Sequence, residues 1–172
     1  PKDEVNYLMN LPIKFFNQKL PEFMKRNIKI LISGDIENLP KGTKKAVIKA
    51  MEETENNTGL IVNFALNYSS RSEIVQAISR VLQDAKDHKI SIEQLDEETF
   101  ANYLYTKDLP DPDMVIRTGG ERRISNFLMW QSSNSELCFV DELFPDFKKE
   151  IFIKEIVKVF GDNEVSLNEW VV

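Results

Sequence analysis

The stretch Ile28-Lys29-Ile30-Leu31-Ile32-Ser33-Gly34-Asp35 decides how the rest of the chain is read. Its branched apolar side chains, closed by Ser-Gly-Asp, describe a short buried strand ending in a turn. Working outward, Leu39 to Asn56 carries Ala46, Val47, Ala50 and Met51 on one side and reads as a helix. Asn57-Thr58-Gly59 is a break, and Leu60 to Asn67 is an apolar run rich in β-branched and aromatic residues. Such a run reads as a strand covered on both faces. Arg71 to Lys89 then sets Ile74, Val75, Ile78, Val81, Leu82 and Ala85 on one helical face. Strand, helix, strand, helix in this order implies right-handed βαβ units, hence an α/β fold with a mostly parallel sheet flanked by helices.

Towards the amino end, Val5, Leu8, Met9, Phe15, Phe16, Leu20, Phe23 and Met24 follow a helical pattern. Pro12 donates no backbone hydrogen bond and is expected to kink that helix or divide it in two. Towards the carboxyl end, Ser91 opens a further helix with Gln94 as its capping-box partner. Leu109-Pro110-Asp111-Pro112 ends local structure, and Met114 to Arg117 is a third strand. A short helical stretch from Ser125 to Gln131, a fourth strand from Glu136 to Val140 and a last helix from Lys148 to Phe160 complete the pattern. A chain of 172 residues suits one domain spanning residues 1–172.

The net charge of −6 disfavours a general nucleic-acid binder, whose affinity for a phosphate backbone comes from clustered Lys and Arg. No run of roughly 18 apolar residues is present to span a bilayer, and no signal peptide opens the sequence, so a cytoplasmic location is expected. Cys138 sits in the apolar run Leu137-Cys138-Phe139-Val140 and reads as an inert thiol. His88 lies among Asp84, Lys86, Asp87 and Lys89 on a solvated face. A histidine zinc site or a Ser-His-Asp triad has little to build on.

Ligands in parallel sheets bind outside the carboxyl ends of the strands. These ends are Ser33-Gly34-Asp35, Asn67 to Arg71, Arg117 to Ser125, and Asp141-Glu142. The segment Asp113-Met114-Val115-Ile116-Arg117-Thr118-Gly119-Gly120-Glu121-Arg122-Arg123-Ile124-Ser125-Asn126-Phe127 packs three arginines, two glycines and two hydroxyls between a strand end and an expected helix start. That composition suits a pyrophosphate cradle in which glycines let backbone amides approach the oxygens, arginines bind in bidentate fashion and a helix N-terminus adds its dipole. Solvated arginines, with Ser125 as a helix cap, are the competing reading. The carboxylates Glu136, Asp141, Glu142 and Asp146 follow; beside a pyrophosphate such groups hold Mg²⁺, and otherwise they form a charged surface.

Arg117-Thr118-Gly119-Gly120-Glu121-Arg122-Arg123-Ile124-Ser125-Asn126-Phe127-Leu128-Met129-Trp130-Gln131, with Ser135-Glu136-Leu137 and Phe144-Pro145-Asp146-Phe147, resembles the signature of the cis-prenyltransferase family, of the undecaprenyl pyrophosphate synthase kind. Pro1-Lys2-Asp3-Glu4-Val5, Asn57-Thr58-Gly59-Leu60 and Asn63-Phe64-Ala65-Leu66-Asn67-Tyr68 are similar to other parts of it. The resemblance implies the family fold with its first strands absent from this chain, residues 1–172 being its carboxyl-terminal two thirds. It implies that Arg117, Arg123 and Ser125 grip the pyrophosphate of isopentenyl pyrophosphate, with Glu121 and Asn126 in support. Glu136 becomes the Mg²⁺-associated glutamate, and Arg117, Arg123 and Glu136 the catalytic residues. Ile28, Ile30, Leu60 and Val62 line a tunnel for the growing chain, with Leu60 a control of product length; plain sheet core explains these four equally well.

The implied reaction joins isopentenyl pyrophosphate to farnesyl pyrophosphate and yields a long cis-polyprenyl pyrophosphate such as undecaprenyl pyrophosphate, a cell-wall lipid-carrier precursor. A homodimer without nucleic acid is implied, meeting the inner face of the plasma membrane through its lipid product. The family's Asp-Gly-Asn-Gly-Arg-Trp motif is not in this sequence, so these residues alone are expected not to turn over. Lys158-Val159-Phe160-Gly161-Asp162 stands in place of a basic tail, and Ser69-Ser70 in place of two glycines. A non-catalytic partner subunit is the alternative, against which the retained Arg117, Arg123, Ser125 and Glu136 speak.

Overall fold

The computed structural model describes residues 2–161, with side chains from Tyr7 onward. They form two compact units, one reaching Asp108 and the other beginning at Leu109.

The first unit runs α1 (Lys2–Lys25), β1 (Lys29–Ser33), α2 (Lys41–Glu53), β2 (Ile61–Ala65), α3 (Ser70–Lys86) and α4 (Glu97–Ala101). β1 and β2 are parallel, with Ile30 opposite Val62 and Ile32 opposite Phe64. Alternation along each strand turns these four to one face. There Ile30 and Ile32 join Phe16 and Leu20 of α1 and Leu39, Val47 and Ala50 in a buried cluster, against which Val62 and Phe64 pack. The Phe16 and Phe15 rings meet Phe64 edge-on, with centroids 5.3 and 5.6 Å away. On the other face Ser33 is buried, and its Oγ accepts from Asn63 Nδ2 at 2.9 Å.

α1 runs unbroken through Pro12 and Pro21, contrary to the expected division. The missing proline N–H costs one bond, whereas Phe16 and Leu20 are anchored in the core. Thr43 Oγ1 also donates to the Met9 carbonyl, one turn before Pro12, at 2.6 Å. β2 departs from expectation too, since Ile61, on the face away from Val62 and Phe64, is 44% exposed, and Leu60, just before the strand, is 66% exposed. Its apolar run reflects one buried face, that of Val62 and Phe64, and not cover on both sides.

The strand ends are held closely. Leu66 N–H donates to Ser33 O at 3.0 Å and Asp35 N–H to Asn67 O at 3.3 Å. Gly34 sits between them at φ 139°, and a Cβ built on it would lie 1.9 Å from the Leu66 carbonyl oxygen. After β2, Ser69 caps α3 by accepting from Ser72 N–H. Glu73 is fully buried in α3, where its carboxylate accepts from Tyr68 Oη at 2.5 Å and from Tyr105 N–H at 2.8 Å. Those bonds offset the cost of removing a carboxylate from water. The helix expected from Ser91 is a single 3₁₀ turn, Ile92–Gln94, in which Ser91 N–H does reach Gln94 Oε1 at 3.3 Å. Asp96 then starts α4 by accepting from Thr99 N–H at 2.7 Å, so a second cap divides the segment.

The second unit contains β3 (Met114–Arg117), β4 (Glu136–Phe139) and α5 (Lys149–Phe160). The strands are parallel, Met114 opposite Glu136 and Arg117 opposite Phe139. Between them, the expected helix from Ser125 to Gln131 is a series of turns. Ser125, Asn126 and Leu128 adopt φ values of 49°, 62° and 46°, a left-handed backbone that cannot continue an α-helix. The helix dipole expected at this loop, and the cap assigned to Ser125, fall with it. Cys138 is half-buried, and desolvation followed by the Glu155 carboxylate pushes its thiol above the ordinary value.

Gly34→Ala should lower stability by about 2 kcal/mol or more, because strain at positive φ and overlap with Leu66 O add; an unshifted urea midpoint would contradict the close strand ends. Cys138 should react with iodoacetamide at pH 8 more slowly than a free cysteine, since only the thiolate attacks. Alkylation as fast as free cysteine would contradict the burial of its thiol.

Candidate active site

β3 delivers Arg117 to the strand's carboxyl end, where Thr118 leads into two left-handed glycines, Gly119 at φ 86° and Gly120 at φ 73°. Gly119 N–H donates to Glu142 O at 2.8 Å and Gly120 N–H to Val140 O at 2.9 Å. Those bonds pin the loop to the end of β4. They also use both glycine amides, so these two N–H groups are not open to an anion.

The loop's polar side chains converge. Ser125 Oγ accepts from Arg117 Nη1 at 2.6 Å and from Arg123 Nε at 3.2 Å. Arg117 Nη1 also donates to the Arg123 carbonyl, and Arg123 Nη1 pairs with Glu121 Oε2. With its oxygen accepting twice, the Ser125 hydroxyl keeps its own proton as a donor. The left-handed backbone at Ser125 sets this geometry, and Asn126 continues the same turn. Two guanidinium groups beside one hydroxyl form a site for a multiply charged oxyanion. A cavity of about 320 Å³ adjoins them, lined by Val115, Ile124, Phe127, Leu137 and Phe139 as well as by Arg117 and Ser125. The strand register explains its lining, because Val115, Arg117, Leu137 and Phe139 share one face.

Glu136 does not join this group. It lies opposite Met114, at the end of the strand pair away from Arg117, on the order of 10 Å along the strands. It also points to the other face, with Cys138. Asp141 is nearer the loop, its Oδ1 about one van der Waals contact (3.5 Å) from a Cβ built on Gly120. Among the described residues no group of three or more His, Cys, Asp or Glu could hold a metal ion. Mg²⁺ is commonly held by one or two carboxylates together with substrate phosphate oxygens, and Glu136 and Asp141 are the carboxylates at the two ends of this strand pair.

Of the four expected tunnel residues, Ile30 is fully buried in the core, and Ile28 and Val62 pack against the same cluster. Leu60 is exposed outside it. The sequence reading missed the apolar groove beside Arg117. Its signal was the two-residue alternation of Val115 with Arg117 and Leu137 with Phe139, which becomes legible once the strands are known to pair.

The comparisons with known proteins agree with one another. A ditrans,polycis-undecaprenyl-diphosphate synthase, (2E,6E)-farnesyl-diphosphate specific, from Micrococcus luteus is 51% identical over 150 residues, covering 87% of this chain and 60% of that protein. An isoprenyl transferase of Streptococcus pneumoniae is 52% identical over 165 residues, covering 94% and 65%. The chain thus spans about 60% of the length of the first curated relatives it matches. Among solved structures, lavandulyl diphosphate synthase from Lavandula x intermedia, in complex with dimethylallyl diphosphate, superposes with a TM-score of 0.88 at 29% identity, covering 92% of this chain and 69% of that one. A probable undecaprenyl diphosphate synthase from Campylobacter jejuni gives 0.80 at 33% identity, covering 98% and 76%. The helices and parallel strands are those of a cis-prenyltransferase α/β fold. With its family model matched over residues 1–165, the chain belongs to the undecaprenyl diphosphate synthase family of prenyltransferases.

Proposed function

We propose that this chain serves the elongation of a prenyl diphosphate, in which isopentenyl diphosphate is condensed onto an allylic diphosphate, farnesyl diphosphate first, to give a long cis-polyprenyl diphosphate such as undecaprenyl diphosphate. The observation that carries the reading is the convergence of Arg117 and Arg123 on Ser125 Oγ beside an apolar groove. In this reading the guanidinium groups hold the diphosphate of isopentenyl diphosphate and the Ser125 hydroxyl donates to it. Ile124, Phe127, Leu137 and Phe139 receive the five-carbon part, which orients its double bond.

The alkene electrons then form a bond to C1 of the allylic partner, the C1–O bond breaks, and diphosphate leaves with that electron pair. Loss of a proton from the resulting cation regenerates an allylic double bond. Holding the nucleophile in place converts an encounter into a step within one complex, which is the main contribution these residues can make. An apolar tunnel wall containing Ile28, Ile30 and Val62 suits the product, because each buried methylene contributes about 0.8 kcal/mol. Leu60 as a control of length belongs to the same proposal.

So do a homodimer, a cytoplasmic location at the membrane face and supply of a cell-wall lipid carrier. Mg²⁺ dependence belongs to the same proposal, with Glu136 the residue expected to associate with the ion.

Isothermal titration of the chain with isopentenyl diphosphate tests the grip. Arg123→Ala should weaken binding roughly tenfold or more, the scale of a lost hydrogen bond to a charged group. Ser125→Ala should cost a few-fold, because both guanidinium groups remain. Affinity unchanged in both variants would end the assignment of this loop to the diphosphate.

A further inference from the structure

The apolar groove beside Arg117 is larger than the five-carbon tail assigned to it. It holds about 320 Å³, whereas a cavity of roughly 150 Å³ lined by aliphatic and aromatic side chains suffices for a six-carbon ring. The spare room lies along the strands. Arg117 is paired with Phe139 at the end that carries the guanidinium groups, and Val115 with Leu137, on the same face, two residues back. The apolar floor therefore continues about 7 Å away from the bound anion. Phe127 and Leu137 are 39% and 46% exposed, so a hydrocarbon laid on them removes apolar surface from water. Among the described residues lining the groove, only Arg117, Thr118 and Ser125 have polar side chains, and none is acidic. Isopentenyl and allylic tails differ first in the position of a double bond, which hydrocarbon walls do not read. Such walls read length, and they favour the longer chain.

We infer that this site also takes an allylic diphosphate of about ten carbons, in competition with isopentenyl diphosphate, so that an allylic substrate in excess inhibits elongation. The inference rests on the diphosphate reading above and adds to it a second occupant for the same arginines and serine. The grip on the diphosphate is common to both ligands, and the groove ranks them by the hydrocarbon each can bury.

The test is isothermal titration of the full chain with inorganic pyrophosphate, isopentenyl diphosphate and geranyl diphosphate. Each buried methylene multiplies affinity by about four, so geranyl diphosphate, its five further carbons partly covered, should bind about tenfold tighter than isopentenyl diphosphate. Saturating geranyl diphosphate should abolish the isopentenyl diphosphate isotherm, and Arg123→Ala should weaken both ligands alike. Phe127→Ala and Leu137→Thr should each lower the ratio of geranyl diphosphate to pyrophosphate affinity by about threefold or more. Geranyl diphosphate binding no tighter than isopentenyl diphosphate overturns the inference, and so does binding of the two at once. A ratio unchanged in both variants overturns it as well, because the longer chain then lies on another apolar face. In each of those outcomes isopentenyl diphosphate still binds and the diphosphate reading stands. Failure of the unaltered chain to bind pyrophosphate or isopentenyl diphosphate overturns the reading and the inference together.

Discussion

Two positive charges are held beside one hydroxyl oxygen, and the second unit is arranged around that constraint. Arg117 arrives on a strand, Arg123 on a turn, and Ser125 Oγ accepts from both. Like charges in contact repel, so such a pair persists only where something fixes it. Here that is done by the left-handed backbone at Ser125, by the carbonyl of Arg123 that Arg117 engages, and by the carboxylate of Glu121. The glycine pair contributes in a different way from the one its composition suggests. Its two amides donate to Glu142 and Val140 just beyond β4 and hold the loop there.

The first unit answers a different need. An apolar cluster of Phe16, Leu20, Ile30, Ile32, Leu39, Val47 and Ala50 fixes two helices to one face of a strand pair. Polar groups within it are paired: Ile30 N–H donates to Thr54 Oγ1 at 3.0 Å, and Thr54 donates onward to Ala50 O at 2.7 Å. Ser33 with Asn63, and Glu73 with Tyr68 and Tyr105, follow the same rule. Buried polar atoms that lack such partners would cost more than the packing around them returns.

Much of this was legible in the residues. Met114 to Arg117 was read to the residue, because Pro112 and Gly119 bound it closely, and each long helix was placed within a few positions by its apolar spacing. The arginine and serine composition pointed to the group that does converge. What the residues did not disclose depends on contacts distant in sequence. Asn126 tolerates a left-handed backbone, but Ser125 and Leu128 have no intrinsic claim to one; the arginine bonds to Ser125 accompany it. Pro12 reads as a break unless the anchoring of Phe16 and Leu20 is known. Glu136 looked like a neighbour of Arg117 in a list of polar residues, yet strand pairing sets it at the opposite end and on the opposite face. Leu60 shows another limit: it continues the alternation of Val62 and Phe64, yet it precedes β2 and is exposed.

A crystal structure of the chain soaked with isopentenyl diphosphate bears most directly on the central claim. The diphosphate should lie within hydrogen-bonding distance of Arg117, Arg123 and the Ser125 hydroxyl, with its hydrocarbon against Phe127 and Leu137. A diphosphate seated elsewhere, while the two arginines still share Ser125 undisturbed, would contradict the account.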